Sequence, residues 1–383
     1  MPTTVTKNLI YRSLLPFLSP NCGKDPLCGH EGHPLTASRS FEHLIKKHHV
    51  LGSALLIADQ KHKAVVYTSS GNPSHHASSE TYFRVASITK MATAALTLHL
   101  ADRGIIDIDC PISSYIPDTD PFFPEPITLR QLLSHTSGLA DPPTLEKDLE
   151  EGKPFTDLLK QSQIQAPGVS FRYSNLGYGL IGSVLEAVLN LPLGVLFREY
   201  LFEPLCMNAT LEGATLPKDQ IMPVTRILPY RKGTDLVLTP LGRKPLNTVD
   251  PLRHYGHTAG SMYTDIVSLH RLIQVLRQNG LNYLKNRTLN MMKTQHALYG
   301  AVSPSLSYGL GLLIINDKRL SDGRIIGHQG FAYGCADGAF LEEETGRELI
   351  FLNGGCSEAR TGRLGKANAD MIRWAFRKEL PAW

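Results

Sequence analysis

Short apolar runs near both ends of the chain have the spacing of β-strands, whereas the middle of the chain shows helical periodicity. Runs of four to eight apolar or β-branched residues bounded by turn residues predict strands at 52–58, 64–67, 310–315, 336–341 and 348–353. Apolar positions spaced three and four apart predict helices at 38–49, 87–103, 180–189, 264–279 and 366–380, with a further helix opening at Thr128.

This order predicts an α+β fold of the α/β sandwich type. Strands from segments 36–86 and 300–383 combine into one antiparallel sheet that is flanked by helices, and segment 87–299 forms a mainly helical lobe. A cleft between the sheet and the lobe is the natural place for a site. We interpret residues 1–35 as an N-terminal extension and 36–383 as a single domain.

Composition narrows the functional classes. The 383 residues are 42% hydrophobic and 19% charged, which is typical of a soluble globular protein. The net charge of +4 comes from scattered basic residues, so neither a nucleic-acid partner nor a membrane surface is indicated. The sequence contains no run of eighteen apolar residues, so we expect no membrane span. Arg12 and Pro16 interrupt the N-terminal apolar pieces, so we expect no secretory signal and a cytoplasmic location.

One cluster of metal-binding residue types stands near the N-terminus: Cys22, Cys28, His30 and His33. Its spacing fits no common zinc module, so we interpret it as a surface loop with incidental thiols and expect no metal site. Stoichiometric zinc in the purified protein would overturn that interpretation.

The first candidate for chemistry is Ser87, which stands three residues before Lys90 at the start of a helical run. Positions three apart share a helix face, so the amine of Lys90 can reach the hydroxyl of Ser87. Free backbone N–H groups at a helix start favour a developing alkoxide there. An ordinary amphipathic helix is the alternative, since Ser-x-x-Lys occurs often by chance.

Two further elements and one histidine carry candidate chemistry. Tyr173-Ser174-Asn175 precedes an apolar helix, where its side chains either point into a cleft or form a buried tyrosine and an N-capping asparagine. His328-Gln329-Gly330 lies between two C-terminal strands. His135 is either a catalytic base or part of a hydrogen-bond network around a turn, and we adopt the second interpretation.

Ser-x-x-Lys, Tyr-x-Asn and His-x-Gly, in this order, resemble the motifs of the penicillin-recognising serine hydrolases. This superfamily contains serine β-lactamases, low-molecular-weight penicillin-binding proteins and related esterases. Further matching stretches extend the resemblance to about 51–355. Three of them are LLSHTSGL at 132–139, PLCM at 204–207 and YGLGL at 308–312, and the other two are residues 167–182 and 259–265. Tyr-x-Asn as the second element places the resemblance nearest the class C-like branch. It implies a β-lactamase/transpeptidase-like fold.

The resemblance also implies roles for individual residues. Ser87 would be the nucleophile, and Lys90 and Tyr173 would share the role of general base. Backbone N–H groups of Ser87 and Phe331 would form the oxyanion hole. The residues implied to bind substrate are Asn175, His328, Gln329 and Gly330, of which Gly330 would let the strand approach the substrate closely. No metal or other cofactor is implied.

Two departures from the β-lactamase pattern bear on the substrate. His328 replaces the usual lysine and Gln329 the usual threonine, so a fixed cation for a substrate carboxylate is missing there. The stretch 250–264, which contains GHTAG at 256–260, also resembles esterase members. We therefore expect an acyl-enzyme hydrolase acting on an ester or amide of a small molecule.

Several alternatives stay open at this point. A D,D-carboxypeptidase, a D-aminopeptidase, a β-lactamase or an acyltransferase would use the same chemistry, and an inactive binding protein could share the fold. Loops 112–127, 140–166 and 213–258 would set the substrate, and the oligomeric state is open.

Overall fold

A nine-stranded antiparallel sheet forms the centre of the fold. The computed structural model describes residues 27–32, 38–68, 76–159, 162–224, 241–277, 279–299, 305–332 and 334–376. The strands of this sheet are β1 (Leu27–Gly32), β2 (Ser53–Ala58), β3 (Lys63–Thr68), β7 (Ala297–Leu298), β8 (Leu306–Tyr308), β9 (Leu313–Ile315), β10 (Ile325–Ala332), β11 (Cys335–Glu342) and β12 (Glu348–Asn353). Their spatial order is β1-β3-β2-β12-β11-β10-β9-β8-β7. Two small sheets contain β4 (Phe83–Arg84), β5 (Ala209–Thr210) and β6 (Tyr263–Thr264), and β13 (Arg360–Thr361) with β14 (Leu364–Gly365).

The pairing of β2 with β12 joins the two ends of the chain into one sheet. Its register runs from Ser53 opposite Asn353 to Ala58 opposite Glu348. Strands β10 and β11 form a hairpin in which Ile325 faces Glu342 and Ala332 faces Cys335. The prediction that strands from both ends combine into one antiparallel sheet is confirmed.

Alternate residues of the strands face two different helical layers, which makes the sheet the middle of a sandwich. Leu55 packs with Phe41 and Ile372 of the terminal helices, whereas the next residue, Leu56, belongs to the core shared with the helical lobe. Such alternation is the signature of a sheet that is buried on both faces by different partners. The helices are α1 (Ser38–Lys47), α2 (Thr89–Asp102), α3 (Leu129–Leu133), α4 (Leu145–Glu151), α5 (Thr156–Leu159), α6 (Asn175–Leu189), α7 (Leu193–Phe197), α8 (His257–Gly260), α9 (Ile266–Arg277), α10 (Asn286–Lys293) and α11 (Lys366–Phe376).

The structure differs from the sequence prediction at two elements that carry candidate residues. His328-Gln329-Gly330 lies inside β10 rather than between two strands. Glycine and polar residues are weak strand formers, so the pairing with β11 decides this element. Helix α6 begins at Asn175 rather than near Leu180. Glycine weakens a helical pattern, and Gly179 lies in this helix because its missing side chain allows close packing. A Cβ at this position would lie 1.5 Å from the carbonyl oxygen of Tyr255.

Part of the predicted N-terminal extension is ordered as a strand. Leu27–Gly32 is β1 at the edge of the sheet, so Cys28 and His30 lie on a strand rather than in the expected surface loop. Cys22 and His33 lie outside the described residues. Among the residues that the structure describes, no group of three or more His, Cys, Asp or Glu side chains is placed to hold a metal ion.

Helix α6 is followed, after a break at residues 190–192, by α7 and a π-helical turn (Arg198–Phe202), which together form an apolar helical stretch. The stretch bends by 91° at the break between its two parts. Across the described ranges, no single helix is long and apolar enough to cross a membrane. Residues 225–240 of the long excursion at 213–258 lie outside the described residues.

Candidate active site

Ser87 lies on a 3₁₀ turn (Ala86–Ile88) that leads directly into α2. Ala86 has a positive φ of 46°, which turns the chain sharply after β4. The Thr89 hydroxyl donates to the Ala86 carbonyl at 2.7 Å and accepts from the Met262 backbone N–H at 3.1 Å, so it fixes this turn against the β6 segment. The turn leaves Ser87 half-buried, whereas Lys90 is fully buried.

Lys90 is a buried amine with three oxygen acceptors. Its Nζ donates to Ser87 Oγ at 3.3 Å, to Asn175 Oδ1 at 2.8 Å and to the Ala259 carbonyl at 2.7 Å. Burial lowers the pKa of Lys90 to about 7, and the charge of Arg84 contributes in the same direction, whereas Asp141 opposes the shift. At neutral pH the neutral amine, which can accept a proton, is therefore well populated.

Tyr173 is the second group on Ser87. Its hydroxyl donates to Ser87 Oγ at 2.8 Å, and its ring centroid lies 4.8 Å from Lys90 Nζ. Burial raises the pKa of Tyr173 well above its ordinary value, with Tyr299 adding to the effect. Tyr173 is therefore a neutral phenol, and Lys90 is the group beside Ser87 that more readily gives up its proton.

Asp141 was not among the predicted site residues, yet it fixes the Tyr173–Asn175 segment. Its carboxylate accepts four hydrogen bonds: from Ser174 Oγ, from Asn175 Nδ2 and from the backbone N–H groups of Asn175 and Leu176, all at 2.9–3.0 Å. A carboxylate at the first turn of α6 is favoured by the unpaired N–H groups there. With its amide nitrogen held by Asp141, Asn175 directs its oxygen towards Lys90.

The helix cap at this point is Ser174 rather than the asparagine of the alternative interpretation. The Ser174 side chain accepts from the Gly177 backbone N–H at 2.9 Å, and Asn175 is the first residue of α6. The three side chains thus have different contacts. Tyr173 contacts Ser87, Ser174 caps α6 and Asn175 contacts Lys90. The interpretation in which the two predicted residues point towards the site fits this geometry.

His135 hydrogen-bonds to the backbone of the segment that precedes α6. It is buried at a positive φ of 57°, its Nδ1 accepts from the Ser174 N–H at 3.2 Å, and its carbonyl accepts from the Arg172 N–H at 2.7 Å. Its ring packs 4.3 Å from that of Tyr173, and burial holds its pKa well below the ordinary value. This geometry fits a turn network rather than a base for Ser87.

His328 is placed in β10 as a neutral imidazole. Its Nδ1 donates to the Gln329 carbonyl at 2.7 Å, because a carbonyl can only accept, and its Nε2 therefore accepts from the Tyr308 hydroxyl at 2.8 Å. Burial, followed by the charge of Lys90, lowers the pKa of His328 to about 3. The strand consequently carries no cation at the position where the resemblance implies a lysine.

Gln329 and Gly330 both have close contacts within the protein, beside their predicted contact with a substrate. The Gln329 amide donates to the Arg363 carbonyl at 2.8 Å and accepts from the Gly365 N–H at 3.0 Å, so both of its ends hold the β13–β14 hairpin. A Cβ at Gly330 would lie 2.4 Å from the Val85 carbonyl. The missing side chain of Gly330 therefore permits the close approach of β10 to the Ser87 turn.

A cleft of about 420 Å³ opens above Ser87 and contains the predicted residues Tyr173, Asn175, His328, Gln329 and Phe331 in its lining. Lys90 lies beneath the cleft, behind Ser87. Other lining residues are Arg84, Ala86, Leu145, Glu146, Leu149, Leu241, Tyr255, Gly256, Ala259, Gly260, Tyr299, Ala332, Arg360 and Arg363. The structure thus brings the three predicted motifs, which are far apart in sequence, to one cleft.

Comparison with known families agrees with this arrangement. The family model described as Beta-lactamase matches residues 37–347 of the chain. The chain belongs to the β-lactamase family. The match includes all three motifs, and the predicted family and fold class are both confirmed.

The names of individual relatives describe different activities. The D-alanyl-D-alanine-carboxypeptidase/endopeptidase AmpH of Escherichia coli (strain K12) is 27% identical over 220 residues, which cover 52% of this chain and 57% of AmpH. Esterase EstB of Burkholderia gladioli is 23% identical over 382 residues, which cover 87% of this chain and 93% of EstB. The chain spans about half the length of the first curated relatives that it matches.

Among solved structures, a D-stereospecific amidohydrolase from Streptomyces sp. aligns with a TM-score of 0.67. It is 23% identical, and the alignment covers 90% of this chain and 99% of that chain. At this level of identity the likeness shows the fold.

Proposed function

We propose that the protein is a serine hydrolase that cleaves an ester or amide of a small molecule through an acyl-enzyme on Ser87. The observation that carries the proposal is the position of Ser87 Oγ, which contacts both Tyr173 Oη at 2.8 Å and Lys90 Nζ at 3.3 Å at the base of a cleft. A nucleophile beside a base that other groups orient is the general arrangement for covalent catalysis.

In the acylation step, Ser87 Oγ attacks the carbonyl carbon of the substrate while its proton passes to the neutral amine of Lys90. The lowered pKa of Lys90 makes this transfer available near neutral pH. The Tyr173 hydroxyl, which is protonated, can pass its proton to the leaving group and recover one from Lys90. Tyr173 and Lys90 thus share the general acid–base role that the resemblance implies.

Negative charge on the substrate oxygen would be stabilised by the backbone N–H groups of Ser87 and Phe331. Both residues line the cleft, and the close approach of Gly330 to Val85 brings β10 beside the Ser87 turn. Two such donors commonly contribute several kcal/mol to the transition state. Water would then release the acyl group by the reverse sequence of proton transfers.

The substrate class rests on the neutral imidazole of His328 and on the range of relatives. No fixed cation stands at His328, and the relatives carry names that include an esterase, a carboxypeptidase/endopeptidase and an amidohydrolase. An ester or amide carbonyl is what these names have in common. Small acyl esters are therefore the first substrates to test.

The test compares turnover of 4-nitrophenyl acetate and butanoate by the wild-type protein and two serine variants. We expect Ser87→Ala to lose about a thousandfold or more in kcat/KM, as nucleophile removal does in other serine hydrolases. Ser114→Ala, at an exposed serine outside the cleft lining, is the matched control and should keep full activity. Undiminished turnover by Ser87→Ala would refute the proposal.

A further inference from the structure

The β13–β14 hairpin, Arg360–Gly365, forms one wall of the cleft above Ser87. Arg360 and Arg363 are both exposed to solvent and both line the cleft. Three separate contacts hold the hairpin in place: the two hydrogen bonds of the Gln329 amide and the bond from the Lys366 N–H to the Ala359 carbonyl at 2.8 Å. The backbone that carries the two arginines is therefore fixed relative to β10.

Aromatic faces orient both guanidinium groups. The Arg360 guanidinium carbon lies 4.1 Å from the centroid of the Phe331 ring, and that of Arg363 lies 5.8 Å from the Tyr299 ring. Stacking on a ring leaves the edge N–H donors of a guanidinium able to bind a planar carboxylate in bidentate fashion. Within the described part of the chain, Arg363 forms no ion pair.

The charges around the cleft are unequal. Three arginines, Arg84, Arg360 and Arg363, line it, whereas the only carboxylate among the lining residues that the structure describes is that of Glu146. The wall formed by α4 is largely apolar, with Leu145 and Leu149 in the lining. The excess of positive charge in the lining and the apolar side chains of α4 favour a ligand that has one anionic end.

Gln329 explains how this arrangement arises. In the β-lactamase pattern the residues at 328 and 329 are a lysine and a threonine, whereas this chain has a neutral histidine and a glutamine whose amide is wholly engaged by the hairpin. The glutamine amide thus positions an element that carries two cations. Two of the arginines that line the cleft are thus on the hairpin, and β10 carries no Lys or Arg.

We propose that the Arg360–Gly365 hairpin is a specificity element that binds a carboxylate of the substrate through Arg363 and Arg360, and that Gln329 is its positioning residue. This inference rests on the proposed hydrolase function and names the substrate class of the same site: esters or amides that also carry a carboxylate.

The test uses pairs of esters that match except for the charge. One pair carries the carboxylate on the acyl side, the 4-nitrophenyl monoester of glutaric acid against 4-nitrophenyl pentanoate. The other carries it on the leaving group, 3-(butanoyloxy)benzoate against phenyl butanoate. We expect the wild-type kcat/KM to be about tenfold higher for the anionic member of at least one pair, and the advantage to fall as salt is added.

Variants locate the effect. The double variant Arg360→Gln/Arg363→Gln should reduce the ratio of kcat/KM for the anionic ester to kcat/KM for the neutral ester to about one. Arg363→Lys alone should keep only part of the wild-type ratio, since a lysine lacks the bidentate fork. Gln329→Met should reduce the ratio mainly through a higher KM for the anionic ester. Arg287→Gln, at an exposed arginine outside the cleft lining, should keep the wild-type ratio.

A ratio near one for both pairs in the wild-type protein, or an unchanged ratio in the double arginine variant, would overturn the inference. Failure of the hydrolase proposal is distinguishable, because Ser87→Ala would then hydrolyse the neutral esters as fast as the wild type. Binding provides a readout without turnover: the Kd of 3-carboxyphenylboronic acid should be about tenfold lower than that of phenylboronic acid, and equal in the double variant. Equal Kd values in the wild type would also overturn the inference.

Discussion

Ser87 contacts two groups whose proton affinities are shifted in opposite directions. Burial lowers the pKa of Lys90 to about 7, and burial raises the pKa of Tyr173 well above its ordinary value. The same desolvation acts on both, and the sign differs because the charged form is a cation in one case and an anion in the other. Two neighbouring titratable groups whose pKa values are moved apart by their surroundings are typical of an acid and a base in catalysis.

The first prediction concerns pH. A protonated Lys90 cannot accept the Ser87 proton, so kcat/KM for a neutral ester should rise with pH and level off above an apparent pKa of about 7. Arg84→Gln removes a charge that lowers the pKa of Lys90, so the rise should move to higher pH. Steady-state kinetics between pH 5 and 9 provide the measurement, with Arg287→Gln as the control.

A profile that stays flat across this range, or a shift to lower pH in Arg84→Gln, would contradict the role given to Lys90.

At this scale, motif chemistry predicted the residues that contact Ser87 but fewer than half of those that line the cleft, and contacts distant in sequence explain part of what it missed. Ser87 and Lys90 are close in sequence, so helical geometry already placed them together. Asp141 lies 34 residues before Asn175 and belongs to no periodic pattern, so only the folded chain shows that it orients the asparagine. The engagement of Gln329 with the hairpin was likewise invisible without tertiary contacts.

At the scale of elements, the approach of β10 to the Ser87 turn sets the geometry of the site. Gly330 makes this approach close because its missing side chain leaves room for the Val85 carbonyl. The adjacent residue, Phe331, is the one whose N–H is assigned to the oxyanion hole. A displacement of β10 at Gly330 would therefore change the distance between the two proposed donors.

The second prediction tests this approach. Gly330→Ala would place its Cβ 2.4 Å from the Val85 carbonyl, so β10 must move away from the turn. We expect kcat to fall about 100-fold or more, as with loss of an oxyanion donor, while far-ultraviolet circular dichroism shows that the fold is retained. Gly177→Ala is the matched control, because its Cβ would meet only ordinary contacts at 3.4 Å and should keep wild-type kcat.

Equal kcat for Gly330→Ala and the wild type would show that this approach does not position the reacting groups.

Element prediction succeeded where local pattern and tertiary packing agree. Helix α2 follows a continuous helical pattern, and β2 and β12 are apolar runs, so their positions were close to those observed. Strand β10 was missed because its central residues are polar or glycine. Its pairing with β11 overrides that local preference.

At the scale of the whole molecule, one sheet that joins both chain ends supports a helical lobe, and the cleft lies where they meet. The order of strands and helices was enough to predict this architecture, because strands from both ends of the chain can pair edge to edge and leave their faces for the helices to cover. The substrate could not be predicted in the same way, since one fold accommodates many sites. Its determinants are side chains of the cleft walls, such as Arg360 and Arg363, whose positions depend on tertiary contacts.

The third prediction concerns acid stability. Burial lowers the pKa of His257 to about 4 and that of His328 to about 3, and it holds the pKa of His135 well below 6.5. The unfolded chain, in which histidine titrates near 6.5, takes up protons first as the pH falls. The stability present above pH 6.5 is therefore lost as the pH falls towards 4, by at most about 1.4 kcal/mol per pH unit for each histidine.

Urea unfolding at pH 7 and pH 5 measures this loss. His257→Gln should reduce the difference between the two pH values by about 1–2 kcal/mol, whereas His43→Gln, at an exposed histidine, should leave it unchanged. An unaltered difference in His257→Gln would show that this histidine does not link folding to protonation.

The most direct test of the central claim is the mass of the protein during turnover. Acid quenching in the presence of a slowly hydrolysed ester, followed by intact mass and peptide mapping, should show one acyl group on the peptide that contains Ser87. The group should be absent from Ser87→Ala. An acyl group on a different residue, or continued wild-type turnover by Ser87→Ala, would contradict the account.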